Sequence, residues 1–197
     1  MRRAFVVLLA LTAASTAHAG GLGILGTGGL RTQSTYYYDN SAPPKQYQLT
    51  QAIGGGGFGI EGILGDRDDR LVGLFRGYWL REAPETNPAS MNTEIPSDQV
   101  VAAVRTDPRD IGVAMVGIDW AAVGDPTGFA FNALALVGSG FITTDHTEFF
   151  QLEVGPGVSW EFAHNLRLTA NLSYQLRYRK TFEHGGSAYA GIRYMFD

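Results

Sequence analysis

Glu183, His184 and Ser187 fall within five residues and supply the three groups of a hydrolytic constellation. In such a site a base activates a hydroxyl and a carboxylate orients the base. Neighbours in one short loop rarely converge on a single point, so the expectation here is a solvated loop. His146 and His164 fall in other connections, and His18 lies in the N-terminal leader. Asp66, Asp68 and Asp69 gather carboxylates as a calcium loop does, yet the run lacks the length and the closing Glu of such a loop. With Arg67 and Arg70 interleaved, it reads as a solvated turn. Gly54 to Gly57 are not followed by Lys-Ser/Thr and open no helix, so they are not a phosphate loop. No catalytic, cofactor-binding or metal-binding residue is expected.

The elements that must carry these residues are set by one stretch, Phe150 to Tyr178. Phe150, Leu152, Val154, Pro156, Val158, Trp160 and Phe162 alternate with Gln151, Glu153, Gly155, Gly157, Ser159 and Glu161. After Ala163, His164 and Asn165 the pattern resumes, with Leu166 to Tyr178 apolar at even positions and Arg167 to Arg179 polar at odd ones. A period of two is that of a strand whose faces meet different surroundings. Both arms exceed the ~5–6 residues of an ordinary strand. They reach the ~9–11 tilted residues that cross a bilayer.

The same reading along the chain predicts six further strands: 22–35, 47–64, 71–81, 111–123, 128–142 and 187–196. Gly54 to Gly57 suggest a bulge or tight bend in the second. Short connections (65–70, 124–126, 163–165) alternate with generally longer ones (36–46, 82–110, 143–147, 181–186). Within 82–110, Ser97 is placed to cap a helix over 98–105, with Val100, Val101 and Val104 on one side and Pro108 beyond its end. Eight strands with short turns at one end and longer loops at the other form an antiparallel up-and-down barrel, all-β.

Met1-Arg2-Arg3, an apolar run over 4–11 and Ala17-His18-Ala19 before Gly20 give the expectation of a signal peptide over 1–19. The chain has no cysteine, so no disulfide or thiolate chemistry is available to it. Loss of 1–19 removes two of 15 basic residues and leaves 13 against 19 acidic ones, a net charge of −6. That balance argues against nucleic acid as a partner. The 20–197 region then makes one domain.

Alternation alone does not say which face is inside. A soluble carrier turns its apolar face inward around a ligand, and a membrane barrel turns it into lipid. Aromatics at the strand ends favour lipid: Trp120, Phe129, Trp160, Phe162, Tyr194 and Phe196 at one end, Tyr36 to Tyr38, Trp79, Phe141, Phe150 and Tyr178 at the other. On the opposing face, Glu161 is expected opposite Arg167, and Glu153 diagonal to Arg177 within pairing reach. Arg167, Arg177, Arg179 and Arg193 then either line an anion path or form a structural ion-pair plug. The narrow interior of eight strands favours the plug.

The last strand, Tyr189 to Phe196, resembles the C-terminal sorting strand of bacterial outer-membrane proteins. Gly191 is followed there by Tyr194 and Phe196 at alternate positions, with Asp197 added beyond the usual final aromatic. In strand count and layout, residues 20–197 resemble the small eight-stranded outer-membrane β-barrel family (OmpA/OmpX-like). The resemblance implies a location in the outer membrane, contact with its lipid, and a structural or surface-interaction role. Envelope proteins docking on 82–110 are the implied partners. A narrow channel for small solutes and a lipid-modifying enzyme are the alternatives.

Overall fold

The computed structural model describes residues 20–38, 41–84, 92–93, 107–144 and 146–196. The expected signal peptide (1–19), the helix expected over 98–105 and Asp197 lie outside the described residues. Eight strands form the wall: β1 (Gly20–Tyr38), β2 (Gln46–Leu64), β3 (Leu71–Pro84), β4 (Arg109–Gly124), β5 (Phe129–Ile142), β6 (Thr147–Ala163), β7 (Leu166–Tyr178) and β8 (Phe182–Phe196). Each pairs antiparallel with its neighbours in sequence, and β1 pairs with β8 along Gly20 to Thr32, which closes the sheet. Over the paired residues each strand of the wall has a neighbour on both sides, the condition for burying strands in lipid.

The connections at one end are tight. Asn165 takes φ 66° in the two-residue β6–β7 turn, a left-handed conformation that Asn tolerates. Between β4 and β5 the carboxylate of Asp125 accepts from the amide and hydroxyl of Thr127, each at 2.9 Å. Those two donors hold the Asp125 carboxyl below its usual range. At the other end Asn92–Thr93 form a short strand against Thr50–Leu49. The long connection therefore returns to β2 above the end of β3, and Leu49 is fully buried there.

Several boundaries differ from those read in the sequence. Gly54 to Gly57 make no bulge and pair in register with both β1 and β3. The register shifts occur at Ala121/Val123 and Glu161/Ala163 instead, beside turns. The loop expected over 181–186 is only 179–181, because Gly185 and Gly186 lie within the sheet. A Cβ on Gly185 would approach the Leu30 carbonyl oxygen to 2.5 Å, so glycine is required there by close packing against β1. Finally, β3 runs on to Pro84, which brings Glu82 from the expected loop into the wall.

Side chains divide by phase. Leu172 is 65% exposed on the outside while Asn171 and Ser173 beside it are buried. Outside stand Ile24, Leu30, Phe58, Ile60, Val116, Ile118, Val154 and Leu168. The inside is more mixed than the β6–β7 hairpin suggests. Val72, Leu74, Leu80, Ile111, Val113, Met115, Leu134 and Leu136 point inward from β3 to β5 as one apolar cluster. Charged inward residues stand among and opposite that cluster, Arg76 and Glu82 on β3 and Asp119 on β4 included.

Candidate functional site: the filled interior and the outer wall

The barrel interior contains four polar levels. Nearest the tight-turn end, Arg67 leans in from the β2–β3 turn and donates from Nε to Glu161 at 2.8 Å. Arg167 donates to the Arg67 carbonyl at 2.9 Å and reaches Glu161 at 3.5 Å. The turn is therefore latched across the mouth, and Glu161 and Arg167 stand opposite each other as the hairpin register requires.

Above it, Arg193 donates to Glu61 at 2.8 Å and to Asp119 at 2.5 Å. Arg76 donates to the same Glu61 at 3.0 Å. Asn132 extends this network from Asp119 to Ser159. Arg76 also lies 4.3 Å from the centroid of the Tyr189 ring, a cation–π contact strengthened by exclusion of water.

At the third level no arginine among the described residues bonds to the carboxylate. Glu153 accepts from Tyr78 at 2.9 Å, Tyr189 at 2.7 Å, Gln151 at 2.6 Å and Gln175 at 3.1 Å. A buried carboxylate is tolerable when its lone pairs are filled in this way. The expected Glu153–Arg177 pair is not among these contacts: Glu153 sits opposite Gln175, and Arg177 opposite Gln151.

At the fourth level, Arg31 grips Glu82 with two donors, at 3.0 and 2.5 Å, and donates to Glu183 at 2.5 Å. Arg177 reaches Glu82 at 3.0 Å. Sharing one carboxylate between two guanidiniums keeps both cations paired in a space that excludes bulk water. A cavity of about 20 Å³ lies beside Arg31, Tyr78, Glu82 and Arg177. That is room for one water molecule.

Of the residues singled out in the sequence, Arg167, Arg177 and Arg193 do enter the interior, whereas Arg179 lies in the β7–β8 turn. Glu183 and Ser187 point inward and His184 points outward, so β8 places the three on opposite faces. His184 instead bonds through Nδ1 to the Tyr174 hydroxyl on the outer wall. His146 and His164 stand exposed in connections at opposite ends. In the β2–β3 turn, Asp69 accepts from the Asp66 amide at 2.8 Å, and Asp68 is exposed. No group of three metal-binding side chains occurs among the described residues. The sequence reading missed Arg31, Glu61, Arg76, Tyr78, Glu82, Asp119 and Tyr189. Each sits on the inward phase of its strand, the signal by which it could have been found.

Two rings of aromatics bound the outer wall. Trp160 and Phe162, Tyr194 and Phe196, and Phe129 and Phe131 pair near the tight-turn end. Trp79 and Phe141, and Tyr178 and Phe182, pair near the other. Tyr38 is exposed, and the side chains of Tyr36 and Tyr37 lie outside the described residues. A closed sheet, apolar outside between two aromatic rings and ion-paired inside, is the construction of a transmembrane barrel of the outer-membrane type.

No known family model and no curated protein matches the chain. Among solved structures it is similar to the β domain of the Bordetella autotransporter BrkA, with 16% identity over 90% of this chain and 100% of that one, at a TM-score of 0.32. Ail, the attachment invasion locus protein of Yersinia pestis, matches with 12% identity over 92% and 100%, at a TM-score of 0.27. The transport unit of the autotransporter AIDA-I from Escherichia coli matches with 9% identity over 91% of each chain, at a TM-score of 0.25. Likenesses this distant carry nothing about activity.

Proposed function

We propose that this chain is an integral outer-membrane barrel without catalysis, acting as a structural or surface-interaction component through the connections at its loop end. The observation that carries this reading is the ion-paired interior. Arg177 to Glu82 and Arg193 to Asp119 each cross from one wall to the opposite wall. A chain that fills its own lumen with paired charges leaves its surface as the part available to partners. The longest of its connections joins Pro84 to Arg109, and its Asn92–Thr93 strand continues the sheet beyond β3. A connection far longer than joining adjacent strands requires is usually a functional one.

The test replaces residues 85–106 with a short Gly-Ser linker. The barrel is expected to stay folded and heat-modifiable on gels, with its cellular role abolished. Raised conductance in planar bilayers after the same replacement would make the segment a plug and move the narrow-channel reading ahead. A shift in the mass profile of membrane lipids on deleting the gene would favour the lipid-modifying enzyme.

A further inference from the structure

Pro156 stands in the middle of β6, whereas the other prolines among the described residues lie at strand ends or in connections. A proline has no N–H, so inside a sheet it leaves one ladder bond unmade. The pairing shows which one. β6 and β7 run in register from Phe150–Tyr178 to Glu161–Arg167, except at Gly155–Ser173 and Pro156–Leu172. On its other side Pro156 pairs with Ala133 of β5 without interruption. The missing N–H therefore faces the carbonyl of Leu172. The other interruptions among the described strands lie beside turns.

Leu172 turns its side chain outward at mid-height, where lipid can supply no donor and an unpaired backbone carbonyl is costly. The donor has to come from the lumen side. There the residues before and after Leu172 carry the same deficit. Asn171 Oδ1 and Ser173 Oγ are both buried and have no hydrogen-bond partner among the described residues. Three consecutive residues of β7 thus each present an unused oxygen at one point of the wall. Gly155 keeps that point open, since a Cβ there would fall 2.0 Å from the Leu172 carbonyl oxygen. Opposite Ser173 on β8 stands Ser187, another short side chain.

We infer that one water molecule is built into the wall between β6 and β7, on its lumen side. It donates to the Leu172 carbonyl in place of the N–H that Pro156 lacks, donates to Asn171 Oδ1, and accepts from the Ser173 hydroxyl. About three hydrogen bonds is the usual complement of a buried water. The chemistry of the three groups selects the occupant. A carbonyl and an amide oxygen need donors, a hydroxyl can give one back, and none of the three carries a charge that would hold an ion. The water completes the one mid-strand gap in the described ladder and ties the β6–β7 seam together. The choice of the lumen side rests on the wall lying in a bilayer.

The test is solution NMR of the full barrel in detergent micelles, reading nuclear Overhauser contacts between water and the side-chain protons of Asn171 and Ser173. The native protein should show a long-lived water at both. Pro156→Ala restores an N–H opposite Leu172 and should abolish both contacts. The new amide at position 156 should then be strongly protected from hydrogen exchange. Ser173→Ala removes one partner while leaving the proline in place, and should weaken the contact at Asn171. Absence of a water contact in the native protein would overturn the inference. So would contacts undiminished in Pro156→Ala, or rapid exchange of its new amide. Heat-modifiable migration of both variants keeps this result separate from the barrel reading.

Discussion

Arg193 on β8 donates to Asp119 on β4 at 2.5 Å, although those strands stand on opposite walls of the barrel. The ion pair therefore spans the full width of the interior. Arg177 on β7 and Glu82 on β3 repeat the arrangement nearer the loop end. The Tyr78–Glu153–Tyr189 cluster lies between the two spans. These contacts tie together strands that the sheet itself does not pair.

Removing one partner of such a bridge should be expensive. Arg193→Met leaves Glu61 sharing only Arg76 and strips Asp119 of its cation, so refolding titrations should show a loss of about 3–5 kcal/mol. Arg67→Met breaks a partly exposed pair at the mouth and should cost no more than about 1 kcal/mol. Equal losses would mean that the interior is wetter than its packing implies.

Polar levels in series make a prediction about conductance. Glu82→Ala with Arg177→Ala opens only the upper level, and Asp119→Ala with Arg193→Ala only the lower. Neither double variant should conduct in planar bilayers, nor should the native protein. Steady conductance from one double variant would show that the levels left intact do not seal.

The wall is tested by two neighbours on β7. Leu172→Arg places a charge on the lipid face at mid-height and should cost about 2–4 kcal/mol. Asn171→Ala, on the inner face, should cost much less. The reverse ranking in refolding titrations would mean that the apolar face does not contact lipid.

Glycine tolerance should follow the two faces. Gly117→Ala would place its Cβ 1.9 Å from the Ala135 carbonyl oxygen, whereas a Cβ on Gly62 meets nothing within 4 Å. The first should lose about 3 kcal/mol or more, or fail to refold. The second should refold with its stability changed by no more than about 0.5 kcal/mol. Comparable behaviour would contradict the narrow interior.

Much of this was legible in the chain itself. The two-residue period over Phe150 to Tyr178 determined strands, their faces and the Glu161–Arg167 register, because alternation and a short turn are local properties of the backbone. Strand number and the alternation of short and long connections followed from the same signal. The partners inside the barrel did not. Arg177 was expected to meet Glu153, two residues diagonal on the neighbouring strand, yet it reaches Glu82 on the opposite wall. Glu82 itself was assigned to a loop, since nothing near Pro84 marks where β3 stops. Which inward charges meet is decided by closure, which folds distant strands to within one arginine's length of each other. That distance belongs to the closed cylinder and to no stretch of sequence.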